Sequence, residues 1–531
     1  MVKVVDGDKT YSIVVEDKKS ILDVLIARDR DISAVCGGTG RCGKCKIKVL
    51  SGYLPVSTAD RMYFTDEELK EGMRLACKAY PTEPLQIALQ FQKEASFEVV
   101  SDFGREANGS EEGTKTWKIQ DGGSVYEEVA DLGIAIDIGT TTIAVQLLNK
   151  VTGQKLANHT TINHQRVFGA DVISRIMASM QGKKEELQKM IRKDLAEGIR
   201  KVTGKAGVQP EQITEVAIAG NTTMIHLLLG YDCKGLGEFP FIPVNIRQIT
   251  DTYANIIGDD FLGATVYILP GISTFVGGDI VAGLYTCDFD IKKEYSLLID
   301  LGTNGEIALG NQDKIMVTST AAGPAFEGGN IAFGVGSIEG AIAGVDIDEK
   351  GVRIRTIADK VPVGICGTGV IEAIAELVKA ELVDETGCLD DEYFDQGYSL
   401  GDMEDGTQIL LTQADIREIQ LAKAAVRAGV ETLFLRYGIS KEEVCHVYLA
   451  GGFGFKLDCS KAIEIGMLPQ CFADKIETVG NSSLGGAVKF LTEKETRERV
   501  TVIGSNAQEI NLSADKDFNQ LYMDAMYFEK G

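Results

Sequence analysis

The sequence is poor in several features that mark common classes of protein. It has 1 tryptophan and 4 histidines in 531 residues, and the histidines show no HExxH or other metal-ligand spacing, which excludes the usual zinc-hydrolase motifs. No GxSxG segment is present, so nothing indicates a serine hydrolase. The GxxxxGK[ST] pattern is also missing, and this excludes a P-loop nucleotide site.

Long apolar runs are missing as well. No uninterrupted apolar stretch reaches the roughly 18 residues of a membrane span. The N-terminal MVKVVDGDKT has neither a basic region nor an apolar core, so we expect no secretory signal. The 11 cysteines of such a chain indicate reduced thiols and hence a cytoplasmic protein.

Positive charge is in deficit. The 54 Lys+Arg residues against 78 Asp+Glu residues give a net charge of −24. Because an acidic surface repels nucleic acid and anionic membranes, we expect neither as a partner. The 44% hydrophobic and 25% charged content is ordinary for a globular protein, and the length predicts about two to four domains.

A dense cysteine loop lies near the start of the chain. Cys36, Cys42 and Cys45 share ten residues with four glycines, and Cys77 completes a set of four thiols. A plant-type [2Fe–2S] cluster uses C-x4-C-x2-C with a distant fourth cysteine, and the first gap of five here resembles adrenodoxin-like ferredoxins. Glycines let the backbone wrap closely around such a cluster. Zinc or disulfides are the alternatives, but zinc sites usually contain two CxxC pairs and this loop has one.

The segments around the loop predict a β-grasp ferredoxin domain in residues 1–95. Residues 2–15 alternate as two strands about an Asp-Gly turn. A short helix and two further strands complete it, at Ile21–Ala27, Lys46–Leu50 and Gln86–Gln90. Residues 101–123 are rich in Gly, Ser and charged residues, so we assign residues 96–130 to a flexible linker. A tethered redox domain of this kind is expected to move.

Two glycine–threonine turns dominate the rest of the chain. Asp137 ends an apolar strand before the turn Gly139–Thr142, and Asp300 ends a near-identical strand before Gly302–Gly305. This internal repeat predicts two related α/β lobes. A third strand ends in the segment Gly451–Gly454.

Turns of this kind suit phosphate binding. They present backbone N–H groups and hydroxyls, and glycine lets the main chain approach the ligand. An aspartate beside each turn can hold Mg²⁺ through water or orient an attacking water, because phosphoryl transfer depends mostly on positioning and charge stabilisation. One turn alone also fits an ordinary hairpin, whereas two facing turns and a glycine-rich third segment are specific.

The three segments resemble the phosphate-1, phosphate-2 and adenosine motifs of the actin-like ATPase superfamily. Val216–Thr223 and Asn481–Ala487 lie where that superfamily has its two connecting helices. A [2Fe–2S] domain fused to such an ATPase is similar to the reductive activators of corrinoid proteins. The resemblance implies an α+β and α/β multidomain fold: a β-grasp ferredoxin domain, a linker, and a two-lobed, ribonuclease-H-like ATPase with lobes at residues 131–290 and 291–531.

The resemblance also implies an activity. One electron would pass from the [2Fe–2S] cluster to an inactive Co(II) corrinoid and return it to Co(I) for methyl transfer, with use of ATP and Mg²⁺. The partners would be a corrinoid methyl-carrier protein, an external low-potential electron donor and a second copy of the chain. Because the electron moves uphill, we interpret ATP as gating docking or release of the partner.

The resemblance assigns roles residue by residue. Cluster ligands would be Cys36, Cys42, Cys45 and Cys77, and the catalytic acids that hold magnesium and orient water would be Asp137 and Asp300. Asn221 and Asp279 are added as polar groups near the cleft, although a loop-capping role is an equal alternative. The full set of predicted nucleotide-binding residues is Thr140, Thr141, Thr142, Asn221, Asp279, Gly302, Thr303, Asn304, Gly305, Gly451, Gly452 and Phe453.

Other interpretations stay open at this point. Activators of radical dehydratases or reductases also join actin-like ATPases to low-potential electrons, but their cysteines lie within the ATPase. A redox-sensing module whose lobes only change conformation is a third. Gly367–Gly369 fits either an anion site at a helix start or a close-packing turn. The glycine-dense loop Gly323–Gly329 fits a substrate-side or partner-side loop or a connector, and Asp415–Leu433 predicts a core helix.

Overall fold

A computed structural model describes most of the chain. It covers residues 2–6, 9–15, 19–26, 28, 38, 40, 43, 45–89, 131–348, 351–454 and 456–528. The predicted linker at 96–130 and two of the predicted cluster ligands, Cys36 and Cys42, lie outside the described residues.

The N-terminal domain is a five-stranded sheet with short helices. Its strands are β1 (Val2–Asp6), β2 (Lys9–Ile13), β3 (Lys46–Ser51), β4 (Met73–Leu75) and β5 (Leu85–Leu89), and its helices are α1 (Ile21–Ile26), α2 (Asp60–Tyr63) and α3 (Asp66–Lys70). The strand order is β2-β1-β5-β3-β4. Strands β1 and β2 pair antiparallel with Asp6 opposite Lys9, and β1 pairs parallel with β5. This is the predicted β-grasp arrangement.

Buried Asp60 fixes the backbone that leads to Cys77. The Asp60 carboxylate accepts hydrogen bonds from the backbone N–H of Ser57 at 2.7 Å and from the backbone N–H of Leu75, also at 2.7 Å. Leu75 ends β4, two residues before Cys77. Asp60 therefore connects α2 to β4, the strand that precedes the predicted cluster ligand Cys77.

The first of the two large lobes contains a six-stranded sheet. Its strands are β6 (Leu132–Ile138), β7 (Thr142–Asn149), β8 (Lys155–Ile162), β9 (Ile213–Gly220), β10 (Ile249–Thr252) and β11 (Thr265–Ile268). Its helices are α4 (Val172–Ala178), α5 (Lys184–Ala206), α6 (Thr222–Leu229), α7 (Lys234–Gly237), α8 (Tyr253–Ile257) and α9 (Gly278–Thr286).

The second lobe contains another six-stranded sheet and two smaller sheets. Its strands are β12 (Tyr295–Leu301), β13 (Gly305–Gly310), β14 (Ile315–Thr320), β15 (Ala341–Asp348), β16 (Gly351–Thr356), β17 (Gly364–Ile365), β18 (Tyr398–Asp402), β19 (Gln408–Leu411), β20 (Val444–Ala450), β21 (Ile476–Gly480) and β22 (Gln508–Glu509). Its helices are α10 (Gly367–Lys379), α11 (Gln413–Tyr437), α12 (Gly451–Gly454), α13 (Cys459–Glu464), α14 (Ser482–Thr492), α15 (Glu498–Asn506) and α16 (Phe518–Asp524).

The two large sheets share a topology over five of their six strands. Strand order is β10-β11-β9-β6-β7-β8 in the first and β21-β20-β12-β13-β14-β22 in the second. In each sheet an antiparallel meander of three strands begins at the aspartate-bearing strand, and two further strands lie parallel to that strand on its other side. The sixth strand differs, because β10 pairs antiparallel with β11 in the first sheet, whereas β22 pairs parallel with β14 in the second. The predicted pair of related lobes is confirmed, while the lobe boundary at residues 290 and 291 stays a prediction.

Helices α9 and α14 pack against each other between the two large sheets. A Cβ on Gly486 would lie 2.3 Å from the carbonyl oxygen of Ala282, so the two backbones touch. Buried apolar residues of both sheets and both helices form one cluster here. We expected the segment Val216–Thr223 to lead into a connecting helix, but the helix that follows it, α6, packs into the core of the first lobe. Small residues at the α9–α14 contact explain why α9 takes that place.

The long helix α11 confirms the prediction of a core helix at Asp415–Leu433. It begins after Thr412 with a capping box and buries most of its inward residues. Helix α10 begins at Gly367, where a Cβ would lie only 1.8 Å from the carbonyl oxygen of Phe326. This contact favours the close-packing turn over the anion site at that position.

Candidate functional site

The two glycine–threonine turns face each other across a cleft. Thr141, between β6 and β7, donates a hydrogen bond from its hydroxyl to Oε2 of Glu327 at 3.3 Å. Thr303, between β12 and β13, donates from its hydroxyl to Oε1 of the same carboxylate at 3.1 Å. One side chain therefore bridges the predicted phosphate-1 and phosphate-2 turns, which are distant in sequence.

Each turn is closed by a backbone hydrogen bond at its glycine. The N–H of Gly139 donates to the carbonyl oxygen of Thr142 at 2.9 Å, and the N–H of Gly302 donates to that of Asn304 at 2.9 Å. A Cβ on Gly139 would lie 2.8 Å from the Thr142 carbonyl oxygen, so this tight turn requires glycine.

Three polar side chains hold the first turn from behind. Fully buried Arg175 donates to the carbonyl oxygen of Thr140 at 2.6 Å, and fully buried Asn163 donates to that of Gly139 at 2.9 Å. Asn221 donates from Nδ2 to the Thr140 hydroxyl at 3.0 Å. Because Arg175 lies away from water, desolvation lowers its pKa to about 10, so it stays charged at neutral pH.

Asn221 caps a helix and also contacts the first glycine–threonine turn. Its Oδ1 accepts from the N–H of Met224 at 3.0 Å, so it caps α6. Its other amide atom contacts the phosphate-1 turn through Thr140. The cap therefore fixes the side chain at the edge of the cleft.

Asp137 links the first lobe to the first turn of α14. Its carboxylate accepts from Nδ2 of Asn481 at 2.9 Å and from Oγ of Ser483 at 2.7 Å. Asn481 also caps α14, because its Oδ1 accepts from the N–H of Leu484 at 2.7 Å. Burial raises the pKa of Asp137, and the two donors act against that rise.

Two further aspartates face Asp137 at the floor of the cleft. Burial raises the pKa of Asp279 to about 7, with Asp137 as the neighbouring negative charge. Burial also raises the pKa of Asp300 to about 7, and here Asp279 and Asp137 both contribute. Burial and the neighbouring charges of Asp279 and Asp300 raise the pKa of Glu306 on β13 well above its ordinary value. The Glu306 carboxylate also accepts a hydrogen bond from Oγ of Ser319 at 3.1 Å. The cleft therefore concentrates carboxyl groups close enough to influence one another's protonation.

This group of acids does not form a preassembled metal cage. Within the part of the chain that the structure describes, no cluster of three or more His, Cys, Asp or Glu side chains has the geometry to hold a metal ion. Magnesium usually keeps several waters and binds through phosphate oxygens with one or two carboxylates. The assignment of Asp137 and Asp300 as magnesium-holding acids stays a prediction.

The predicted adenosine segment borders the same cleft. Gly451 has φ +88°, and a Cβ there would lie 2.8 Å from Oδ1 of Asp300. The glycines themselves form the short helix α12, whereas we expected a helix only later in the chain. Around Gly452 the structure leaves open space within 4 Å of a built Cβ. Phe453 stacks on Phe326, with ring centroids 4.9 Å apart and planes at 13°.

The cysteine loop can be followed in part. Cys45 and Cys77 are both buried, and the N–H of Ala76 donates to the carbonyl oxygen of Cys45 at 2.8 Å. Gly38 and Gly40 have φ of +82° and +84°, values that glycine adopts readily. This backbone and the two buried thiols fit a loop that wraps an iron–sulfur cluster.

Sequence reasoning missed four residues of the site: Arg175, Asn163, Glu306 and Glu327. The sequence around Arg175 does not distinguish it from an exposed arginine on a surface helix, because only the structure shows that it is buried. Glu327 had a weak signal, because the glycine-dense loop around it was noticed but its carboxylate was not.

Family models match nearly the whole chain. The C-terminal domain of RACo, the ASKHA domain, matches residues 294–531, and the RACo middle region matches 132–292. A 2Fe-2S iron-sulfur cluster binding domain matches residues 4–82. The corrinoid activation enzyme RamQ of Eubacterium limosum is 35% identical over 419 residues, which cover 74% of this chain and 69% of RamQ. The chain belongs to the RACo family.

Two other RACo-like proteins support this assignment. The [Co(II) methylated amine-specific corrinoid protein] reductase of Methanosarcina barkeri is 27% identical over 433 residues, covering 75% of this chain and 77% of that protein. The solved structure of a reductive activator for corrinoid,iron-sulfur protein has 29% identity and a TM-score of 0.69, and the match covers 99% of this chain and 98% of that one. The RACo fold therefore extends from the ferredoxin domain through both lobes.

Each helix in the described part of the chain is too short or too polar to cross a bilayer.

Proposed function

We propose that this RACo-family chain is an ATP-dependent reductive activator of a corrinoid protein. It passes one electron from a [2Fe–2S] cluster to an inactive Co(II) corrinoid and returns it to Co(I) for methyl transfer. The observation that carries the proposal is the pair of phosphate turns, which face each other through Glu327 in a chain that also matches an iron–sulfur domain. The names of the relatives agree with this activity.

The nucleotide would lie in the cleft between the lobes. Its phosphates would be held by the turns Thr140–Thr142 and Gly302–Gly305, where hydroxyls and glycine N–H groups are available. Gly451, Gly452 and Phe453 would line the adenosine, beside the open space at Gly452.

The aspartates would divide the work on the γ-phosphate. Asp300 has a pKa of about 7, so near neutral pH it can orient an attacking water and accept its proton. Asp137 is fixed by two donors, which suits a carboxylate that holds magnesium-bound water. Asp279 lies next to both and would complete the negative face toward Mg²⁺.

The iron–sulfur cluster would be held by Cys36, Cys42, Cys45 and Cys77. When bound, it supplies a single electron at a potential that is near −400 mV in plant-type ferredoxins. The protein keeps Cys45 and Cys77 away from water and gives the loop its glycine conformations. Nucleotide in the cleft would gate docking or release of the corrinoid protein, while the thiol loop positions the donor.

The remaining partners follow from the same proposal. An external low-potential donor would reduce the cluster, and two copies of the chain would associate in the cytoplasm, where thiols stay reduced. Sedimentation of the purified protein measures the association directly.

Titration of the reduced protein with a Co(II)-corrinoid carrier tests the activity. Co(I) absorbance should rise with Mg-ATP and stay low without it. Asp300→Ala should lose ATP turnover while its cluster is still reduced normally, and Asp405→Ala, at an exposed position in a hairpin turn, should behave like wild type. Loss of cluster reduction in Asp300→Ala would contradict the division of labour. Equal Co(I) formation with and without Mg-ATP would contradict the proposal itself.

A further inference from the structure

Glu327 lies where a nucleotide phosphate would have to bind. Its two carboxylate oxygens accept from the hydroxyls of Thr141 and Thr303, one from each phosphate turn. The side chain remains exposed to solvent in this position. The same two hydroxyls are predicted donors to nucleotide phosphates, so the carboxylate and the phosphates would use the same hydrogen bonds.

The backbone around Glu327 is fixed, although its side chain is exposed. Phe326 is 2% exposed and stacks on Phe453 of the predicted adenosine segment. Gly328 has φ +77°, and a Cβ there would lie 2.5 Å from the carbonyl oxygen of Val335. Gly367 packs against the carbonyl oxygen of Phe326 on the other side. The loop can therefore release the carboxylate by rotating one side chain, without moving its own backbone.

We propose that Glu327 competes with nucleotide phosphates and so sets the affinity of the cleft. In the nucleotide-free protein it holds the two turns together. When nucleotide binds, the phosphate oxygens take the hydroxyls of Thr141 and Thr303, and the carboxylate swings into solvent because like charges repel. The competition rests on the proposed nucleotide site. It gives Glu327 a role that is additional to the phosphate, magnesium and adenosine roles proposed above.

The position of the loop extends this role to both ends of the ligand. Glu327 contacts the phosphate turns, and the preceding residue, Phe326, contacts the adenosine segment through Phe453. The phosphate end and the adenosine end of a nucleotide therefore meet the same four-residue turn, Pro324–Glu327. Competition by Glu327 should nevertheless affect only ligands that carry phosphates.

Calorimetric titration with Mg-ADP, Mg-ATP and adenosine tests the proposal on the full-length protein. Glu327→Gln keeps the size of the side chain and removes its charge, and Glu327→Ala removes the contacts as well. Both variants should bind Mg-ADP and Mg-ATP about 3- to 10-fold more tightly than wild type, because Glu327→Gln weakens the competing charge-assisted hydrogen bonds and Glu327→Ala removes them. Adenosine affinity should not change. Glu404→Gln, an exposed glutamate between β18 and β19, is the matched control and should bind like wild type.

A double-mutant cycle with Thr303→Val separates competition from a general structural effect. If Glu327 competes for the Thr303 hydroxyl, the gain from Glu327→Gln should shrink in the Thr303→Val background. Unchanged or weaker ADP binding by both Glu327 variants would overturn the role of Glu327 while leaving the nucleotide site in place. A wild-type protein that binds neither nucleotide nor adenosine would overturn the site and, with it, the competition.

Discussion

Replacement of Arg175 by methionine tests how the phosphate-1 turn is supported. The arginine is fully buried and donates from Nε to the carbonyl oxygen of Gly169 at 2.9 Å and from Nη2 to that of Thr140 at 2.6 Å. Methionine preserves much of the apolar stem but donates nothing. The buried carbonyl oxygen of Gly169 and the half-buried carbonyl oxygen of Thr140 therefore lose a donor, at a cost of up to about 1–3 kcal/mol each.

Part of that cost should appear as lost nucleotide affinity. Thr140 belongs to the turn, so in the free variant its carbonyl is expected to rotate toward water, and binding must restore the turn. One penalty of about 1–3 kcal/mol corresponds to about 5- to 150-fold weaker ADP binding. Adenosine has no phosphate to place on the turn, and its affinity should be unchanged.

Calorimetry with ADP and adenosine measures both effects, and thermal unfolding establishes that the variant is folded. Arg200→Met is the matched control, because Arg200 pairs with Asp259 at 2.6 Å while 44% of its side chain is exposed. Exposed pairs of this kind contribute about 0–1 kcal/mol. If Arg175→Met bound ADP as well as Arg200→Met does, the turn would not depend on Arg175 and the reasoning would be refuted.

Two further predictions concern the acids of the cleft. The pKa of Asp300 is raised to about 7, above the unfolded value, so this group makes the folded state bind more protons between about pH 4 and 7 and lowers stability as pH rises through that window. Asp300→Asn cannot titrate, so the difference in melting temperature between this variant and wild type should change in favour of the variant as pH rises from 5 to 8. A difference that stays constant with pH would contradict the raised pKa of Asp300. Asn481→Ala removes the α14 cap, worth about 0.5–2 kcal/mol, and one donor to Asp137, which raises the pKa of Asp137 further. The acidic limb of its ATPase pH profile should therefore move to higher pH, and an unmoved limb would show that Asp137 does not titrate in catalysis.

Features that depend on short stretches of sequence could be predicted. The aspartate and glycine–threonine turns combine a buried strand, a tight turn and a second strand within about a dozen residues, so both turns and the lobe repeat were correct. The β-grasp domain was predicted from an initial hairpin, a short helix and further strands, and its first two strands do pair as a hairpin. These signals are local, and packing elsewhere in the molecule does not change them.

Features that depend on distant packing could not be predicted. The contact between Glu327 and Thr141 joins residues 186 positions apart, and neither residue type signals it. The packing of α9 against α14 depends on the contact between Gly486 and Ala282. Because these residues lie on two helices that are distant in sequence, neither segment alone indicates the contact. The predicted roles of the cleft residues, including Asp137 and Asp300, stay predictions.

The glycine contact between α9 and α14 has a mechanical consequence for the whole ATPase. With no side chain separating Gly486 from Ala282, the backbones of the two helices are in direct contact. A change in the angle between α9 and α14 would therefore also change the hydrogen bonds that Asn481 and Ser483 donate to Asp137. Gly486→Ala would force α9 and α14 apart, and this would change the arrangement of the lobes although residue 486 contacts no predicted ligand.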